Sequence, residues 1–197
     1  MKVLRIPAQI AESALSTFGI RVGTEEPHYT CIPIGDGVEL RQYGPRIAAE
    51  TTVTANEDRA RNIGFRRLAG YIFGANHRDD AIAMTAPVAQ SRAEGDAWAI
   101  RFFMPSKWTL ETLPKPDDDS VTLETVPGET VAVLRFSGDR SPAAVSHRTD
   151  ELLELLRDKR IDVIGDPVAW FYDPPWTLPF LRRNEIAVPV RGSQADS

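Results

Sequence analysis

The segment from Arg182 to Glu185 is the densest group of charged residues in an otherwise apolar part of the sequence. On a strand, Arg183 and Glu185 share one face, whereas Ile186 and Val188 share the other. Two interpretations follow. The pair is a structural ion pair that closes the fold, or Glu185 faces a cleft. In a cleft, an acid shielded from water attracts a cationic ligand or acts as a base.

Other residues that could do chemistry are few. His77 follows the end of a predicted helix and could turn toward a cleft as a metal ligand, whereas His28 and His147 are predicted to lie on the surface. Cys31 is the single cysteine, which excludes an intrachain disulfide and is typical of a reducing compartment. The sequence has no nucleophile motif, phosphate-binding glycine loop, H-E-x-x-H motif or paired cysteines. Binding without catalysis is therefore the simplest interpretation.

Two predicted helices must help to position these side chains. Thr54 and Glu57 have the S/T-x-x-E spacing of a capped helix start. Apolar residues then recur at three-to-four spacing, and Gly74 provides the left-handed residue that ends the helix. A second helix begins after Ser141, which is followed by proline, and ends near Lys159.

Alternating and apolar runs predict eight strands around these helices. The order strand–strand–helix–strand–strand occurs twice, with matching points about 85 residues apart, and a Pro- and Asp-rich stretch at 105–120 separates the copies. The sequence therefore predicts an α+β fold of duplicated ββαββ units, with a natural ligand cleft between the halves. The predicted strands are 38–43, 46–53, 82–90, 97–104, 121–126, 130–136, 167–172 and 183–190.

The composition is typical of one soluble globular domain. The 197 residues carry a net charge of −5, which argues against nucleic acid or an anionic membrane as the main partner. No apolar run approaches the ~20 residues that cross a bilayer, and polar residues interrupt any signal-peptide core, so we expect a cytoplasmic protein. Residues 1–24 are predicted to be a lead-in segment with a short amphipathic helix at 8–18, and residues 191–197 a disordered tail.

Six motifs occur together: VELRQYGP at 38–45, FRRLAGYIFGAN at 65–76, IAMTAPV at 82–88, LPKP at 113–116, RFSG at 135–138 and YDPPWTLPFLRRNEI at 172–186. In content and order they resemble the SOUL haem-binding proteins, also called the heme-binding protein family. The resemblance covers residues 25–190, with halves at about 25–104 and 120–190. It implies a duplicated, eight-stranded antiparallel distorted β-barrel with two flanking helices, an architecture shared with drug-sensing effector-binding domains. It also implies binding of haem or other tetrapyrroles, with no common catalytic reaction.

The resemblance places the ligand slot along the first helix, at Asn62, Phe65, Ala69 and Gly70, with a rim near Thr177. A haem site needs an apolar slot, cations near the propionates and optionally an axial ligand. Some members have basic residues at the positions of Asn62, Gly70 and the Thr177 region, where this chain has neutral ones.

Arginines elsewhere on the first helix are candidates to replace those cations. Arg61, Arg66 or Arg67 could reach the rim, or they form a solvated face. Met84 and Trp176 belong to the family motifs and could line a macrocycle face, although such side chains also fill cores.

Iron ligation is the point at which the chain departs from the family. Some members have a histidine, proposed as the iron ligand, where this chain has Gln42. Glutamine is a poor ligand for ferric haem, which leaves His77 as the metal-ligand candidate.

The sequence therefore predicts a monomer or weak oligomer that binds a small, planar, apolar ligand, haem or another porphyrin, beside the first helix. Binding would be non-catalytic and without strong axial ligation. The alternatives are a small-molecule hydrolase or a drug- or effector-sensing module that uses Glu185 in the same cleft.

Overall fold

The computed structural model describes residues 24–192, in which nine strands form a single sheet beside two α-helices. The helix predicted at 8–18, residues 1–23 of the lead-in segment and residues 193–197 of the tail lie outside the described residues. No helix within residues 24–192 is long and apolar enough to span a membrane. The elements are β1 Tyr29–Gly35, β2 Val38–Tyr43, β3 Arg46–Thr54, α1 Glu57–Ile72, β4 Val88–Arg92, β5 Ala97–Phe103, β6 Thr122–Val126, β7 Glu129–Phe136, α2 Pro142–Asp158, β8 Val168–Phe171, a 3-10 turn Pro179–Leu181 and β9 Asn184–Pro189.

The strands are ordered β1-β2-β7-β9-β8-β4-β5-β3-β6, and every neighbouring pair is antiparallel. The predicted α+β class is confirmed, with nine strands rather than eight. Strand β6, from the second half of the chain, pairs with β3 at the end of the run β4-β5-β3 from the first half. In the same way, β2 from the first half pairs with β7 at the end of the run β8-β9-β7 from the second half. That the halves arose by duplication stays a prediction.

The additional strand, β1, lies in the segment that the sequence indicates only as an extended lead-in. Proline removes a backbone donor and is tolerated at a sheet edge. Pro33 occupies such an edge, because within residues 24–192 β1 pairs only with β2, and the register shifts between Pro33 and Gly35. The prolines of the lead-in segment argued against a strand in the sequence, but a strand at the sheet edge tolerates Pro33.

The start of α1 differs from the prediction, whereas its end agrees with it. Thr54 still belongs to β3, where it pairs with Ala97, so it is not the helix cap. Asn56 is the N-cap, and its side chain accepts a hydrogen bond from the Arg59 N–H at 3.0 Å. Gly74 follows the helix with a φ of +114°, as predicted.

The predicted strand at 82–90 begins only at Val88, directly after Pro87. Other partners occupy the backbone before it. The Ile82 N–H donates to the carbonyl oxygen of Ile72 at the end of α1, and the Ala86 N–H donates to that of Glu25. These bonds hold 82–87 as an irregular segment against α1 instead of in the sheet.

Both helices cover the same face of the sheet. Val88 on β4 lies directly opposite Phe102 on β5 and Phe171 on β8, so the three side chains share a face. Phe102 belongs to the core beneath α1, together with Leu68, and Phe171 belongs to the core beneath α2, together with Leu152. A valley between the helices therefore runs above β4 and β8.

A third core covers the opposite face, which carries no helix. It is formed by the alternate residues of the same strands. Its members include Tyr43, Phe103, Val131, Trp170 and Ala187.

Candidate functional site

The floor of the valley is apolar and partly open. Phe102 and Phe171 are buried, whereas Val88 between them is partly exposed. Phe102, Val88 and Phe171 form a row across three neighbouring strands, and this row spans two strand spacings, or about 10 Å. Of these three residues only Val88 is accessible, so the accessible apolar surface of the valley consists of Val88 and the partly exposed side chains that border it.

Three of the predicted ligand residues border this surface. The ring of Phe65 contacts that of Phe102, with centroids 5.3 Å apart, and 38% of Phe65 is exposed. Ala69 and Met84 are partly buried and pack against the same core as Phe102 and Val88. The sequence prediction thus identified residues that the fold does bring together.

The other predicted ligand residues lie farther out. Asn62 and Arg66 are exposed on α1, where the Arg66 Nε donates to the Asn62 carbonyl oxygen at 3.3 Å. Trp176 belongs to the connection between β8 and β9 and is 60% exposed. Arg67 is directed toward β3, because its Nη1 donates to the Thr51 hydroxyl at 3.2 Å.

Three arginines surround the Phe171 end of the row. The guanidinium of Arg61, on α1, lies 4.8 Å from the centroid of the Phe171 ring, and that of Arg140 lies 5.8 Å from the same centroid. Arg182 lies close enough to Arg140 for its charge to act on it. Burial, together with the charges of Arg61 and Arg182, lowers the pKa of Arg140 to about 10.

Sequence reasoning proposed Arg61 but missed Arg140 and Arg182 as members of this cluster. Arg140 directly precedes the N-cap of α2, and Arg182 directly follows the 3-10 turn. No local motif marks either residue, and only the tertiary fold brings them to α1.

Glu185 lies on the opposite face and is fully buried. Its carboxylate accepts two hydrogen bonds from Arg41, at 2.6 and 2.9 Å, one from Arg183 at 2.8 Å and one from the Tyr172 hydroxyl at 2.7 Å. Arg183 also forms an ion pair with Glu26 at 3.0 Å. The structural ion pair between Arg183 and Glu185 is therefore present, with Arg41 as a further partner 144 residues away in the sequence.

The hydrogen bonds decide the protonation state of Glu185. Burial alone would raise its pKa, but the hydrogen bonds and charges of Arg41 and Arg183 outweigh burial and lower the pKa. Burial opposes the charge on Arg41 as well, yet Glu185 raises the pKa of that arginine. The hydrolase hypothesis requires a raised pKa at Glu185, and the structure shows the opposite shift.

The candidates for iron ligation lie away from the valley floor. Gln42 is exposed on β2, which is five strand positions from β5. His77 follows the C-terminal end of α1, with its Nε2 3.8 Å from an Asp117 carboxylate oxygen and 56% of its side chain exposed. Within residues 24–192, no three His, Cys, Asp or Glu side chains are grouped to hold a metal ion.

Two cavities lie outside the valley. One of about 230 Å³ opens on the opposite face and is lined by residues that include Ala89, Phe103 and Trp170. The other, of about 540 Å³, lies near the C-terminal end of α2 beside Leu153 and Ile161.

The described residues form an α+β fold in which one antiparallel sheet carries both helices on the same face. The model of the SOUL heme-binding protein family matches residues 24–189. The chain is 30% identical over 158 residues to Heme-binding protein 2 of Mus musculus, an alignment that covers 75% of each protein. The chain therefore belongs to the SOUL heme-binding protein family.

Solved structures with much lower sequence identity share the fold. The C-terminal domain of EcmrR superposes with a TM-score of 0.57 at 11% identity, covering 83% of this chain and 98% of that domain. A hydrolase from Listeria innocua superposes with a TM-score of 0.53 at 11% identity, covering 87% of this chain and 94% of that protein. These likenesses extend the fold beyond the family and carry no function to this chain.

Proposed function

We propose that this protein binds haem or another tetrapyrrole on the apolar surface of the valley beside α1. Membership of the SOUL heme-binding protein family is the observation that carries this proposal. The related protein from Mus musculus is named for heme binding. We further propose a cytoplasmic monomer or weak oligomer, with neither nucleic acid nor membrane as a partner.

The residues of the valley fit a flat apolar ligand. Phe65, Val88, Ala69 and Met84 are all partly accessible around one surface. Burial of a macrocycle against them gives about 25 cal/mol per Å² of apolar area. Association costs and ordering offset part of that gain, so we expect micromolar affinity.

Binding in this proposal depends on the macrocycle and not on the iron. Haem supplies a large flat surface, carboxylate side chains and an iron centre when it is bound. The exposed His77 is paired with Asp117, and Gln42 lies on a distant strand. We therefore propose little axial ligation.

We propose binding without catalysis. Glu185, the acid on which the hydrolase hypothesis depends, lies on the face opposite the valley, is fully buried and accepts four hydrogen bonds, so its carboxylate has no free position for a proton from substrate. Its lowered pKa also makes it a poor base.

A titration with hemin and with metal-free protoporphyrin IX tests the proposal. Absorbance and tryptophan fluorescence quenching would follow binding to the purified protein. We expect saturable binding of both compounds with similar micromolar dissociation constants. Failure of both to bind below ~100 µM, a free energy weaker than about −5.5 kcal/mol, would remove the proposed function.

A pair of variants tests where binding occurs. Phe65→Glu places a charge on the valley wall, and we expect affinity for protoporphyrin IX to fall about tenfold or more. Ile32→Glu, on the edge strand β1, introduces the same charge at a residue that is 65% exposed and remote from the valley. Equal affinities for the two variants would place the ligand elsewhere.

A further inference from the structure

At the Phe171 end of the valley, repulsion among the arginines exceeds the attraction of the nearby carboxylates: Arg61 and Arg182 act on Arg140 more strongly than Asp58 and Asp173 do. Arg140 donates to the Asp173 carbonyl oxygen at 3.3 Å, and Arg182 donates to the carbonyl oxygens of Pro175 and Thr177, each at 2.8 Å. Within residues 24–192, neither Arg140 nor Arg182 forms an ion pair. Their hydrogen bonds hold the side chains in place, and the carboxylates of Asp58 and Asp173 offset only part of the charge on Arg140.

Arg61 is only partly neutralised. It forms an ion pair with Asp58, a carboxylate that is half exposed, and its Nη1 donates to the Gln90 side chain at 3.2 Å. Two guanidinium groups over one phenylalanine ring, with a third nearby, repel one another. Burial, followed by this repulsion, lowers the pKa of Arg140, and the charges of Asp58 and Asp173 oppose the shift only in part.

A buried donor lies next in the same row. Asn184 on β9 pairs directly with Phe171 on β8, so the two side chains share the face that the helices cover. Asn184 is 1% exposed, and its side-chain Nδ2 has no hydrogen-bond partner within the described part of the chain. Buried donors without partners are rare in native proteins. The Phe171 end therefore combines partly compensated cations with an unused donor.

The apolar and cationic parts of the valley are contiguous. Phe65 lies over Phe102 at one end of the row, and the arginines surround Phe171 at the other, about 10 Å away. Guanidinium groups are suited to carboxylates because they donate in a planar fork. A ligand that fits both parts is flat and apolar with carboxylates along one edge.

We propose that Arg61, Arg140 and Arg182 bind the carboxylate side chains of the tetrapyrrole, an assignment that rests on the proposed function. The cluster makes the site selective for porphyrins with free acid groups. It replaces the basic residues that are absent at Asn62, Gly70 and Thr177.

The test compares protoporphyrin IX with its dimethyl ester, which keeps the macrocycle and removes both negative charges. Titrations in the same cosolvent would use the unaltered protein, Arg140→Gln and Arg140→Lys. We expect the unaltered protein to bind the acid about tenfold or more tighter than the ester, a preference that added salt reduces. Arg140→Gln should lose most of this preference by weakening binding of the acid alone, and Arg140→Lys should keep part of it.

Arg59→Gln is the matched control, because Arg59 is exposed on α1 and its loss changes the net charge equally. We expect this variant to retain the preference for the acid. Equal binding of acid and ester by the unaltered protein, or equal losses in Arg59→Gln and Arg140→Gln, would overturn the inference while porphyrin binding stands. Absence of binding of either porphyrin would overturn the proposed function, and this inference with it.

Discussion

The arginines on the two faces of the sheet differ in their hydrogen-bond partners. On the face without helices, Arg41 and Arg183 converge on the buried carboxylate of Glu185. On the helix-covered face, Arg140 and Arg182 bond only to backbone carbonyl oxygens within the described residues. The first group satisfies its charges internally and serves stability. The second group has charges that are only partly offset and lies in the same valley as the partly exposed Phe65 and Val88, an arrangement that suits an apolar ligand with negative charge.

Glu185→Gln should break the internally satisfied group. The substitution keeps the shape of the side chain but, among the described residues, leaves Arg41 and Arg183 with only the more exposed carboxylates of Glu39 and Glu26. Removal of one partner from a buried ion pair costs about 3–5 kcal/mol. We expect a loss of that size in the free energy of unfolding, measured by urea denaturation.

Glu39→Ala is the matched control for that loss. Glu39 also pairs with Arg41, but its side chain is 29% exposed. Exposed pairs contribute about 1 kcal/mol or less. A comparable loss in the two variants would contradict the special role of Glu185.

The same carboxylate should make stability sensitive to acid. Its pKa is lowered from the ordinary value of 4.5, so ionised Glu185 stabilises the fold above that pH. This contribution disappears as the pH falls through the lower, folded-state pKa. Between pH 7 and pH 3, the free energy of unfolding of the unaltered protein should fall more steeply than that of Glu185→Gln. Parallel pH profiles in urea denaturation would show that Glu185 does not carry the effect.

Gly64→Ala should disturb the helix-covered face selectively. A Cβ at Gly64 would lie 2.4 Å from the Ile100 Cγ1, so α1 must move away from β5. Overpacking of this kind costs about 1–3 kcal/mol, and we expect it to weaken porphyrin binding as well. Thermal unfolding and the porphyrin titration measure the two effects.

Gly70→Ala on the same helix serves as the comparison. Its Cβ would meet only the Ala75 Cβ, at 4.0 Å. Replacing a helical glycine by alanine then favours the helix by up to about 1 kcal/mol. Similar destabilisation by the two substitutions would contradict the close contact between α1 and β5.

Arg140→Gln should have the smallest effect on stability. Arg140 forms no ion pair within residues 24–192, and repulsion from Arg61 and Arg182 offsets the attraction of Asp58 and Asp173. We expect the free energy of unfolding to change by no more than about 0.5 kcal/mol, in contrast to its effect on binding. A loss of several kcal/mol in urea denaturation would show that Arg140 is structural, like Arg41.

The sequence predicted the elements that depend on local signals. Gly74 ends α1 and Ser141 caps α2 because each acts on its own first or last turn. Residues 82–87 were predicted to be a strand, but bonds to α1 and to Glu25 hold them outside the sheet. The conformation of residues 82–87 therefore depends on hydrogen-bond partners outside the segment, which local sequence signals do not reveal.

The candidate site also contains residues that the sequence identified and residues that only the tertiary fold reveals. Phe65 and Ala69 were identified because the motif FRRLAGYIFGAN at 65–76 resembles the family, and the resemblance places the ligand slot along this helix. The pairing of Glu185 with Arg183 was predicted from their spacing on one strand. Arg41 and Arg140 were missed because each reaches its cluster only through the order of strands in the sheet.

The most direct test of the central claim is to locate the bound ligand on one face of the sheet. Backbone amide NMR shifts, recorded with and without protoporphyrin IX, would show it because the macrocycle shifts nearby resonances strongly. We predict the largest changes at Arg61, Phe65, Ala69 and Val88, with little change at Glu185. The largest changes in the opposite-face cavity, at residues such as Ala89 and Trp170, would contradict the account.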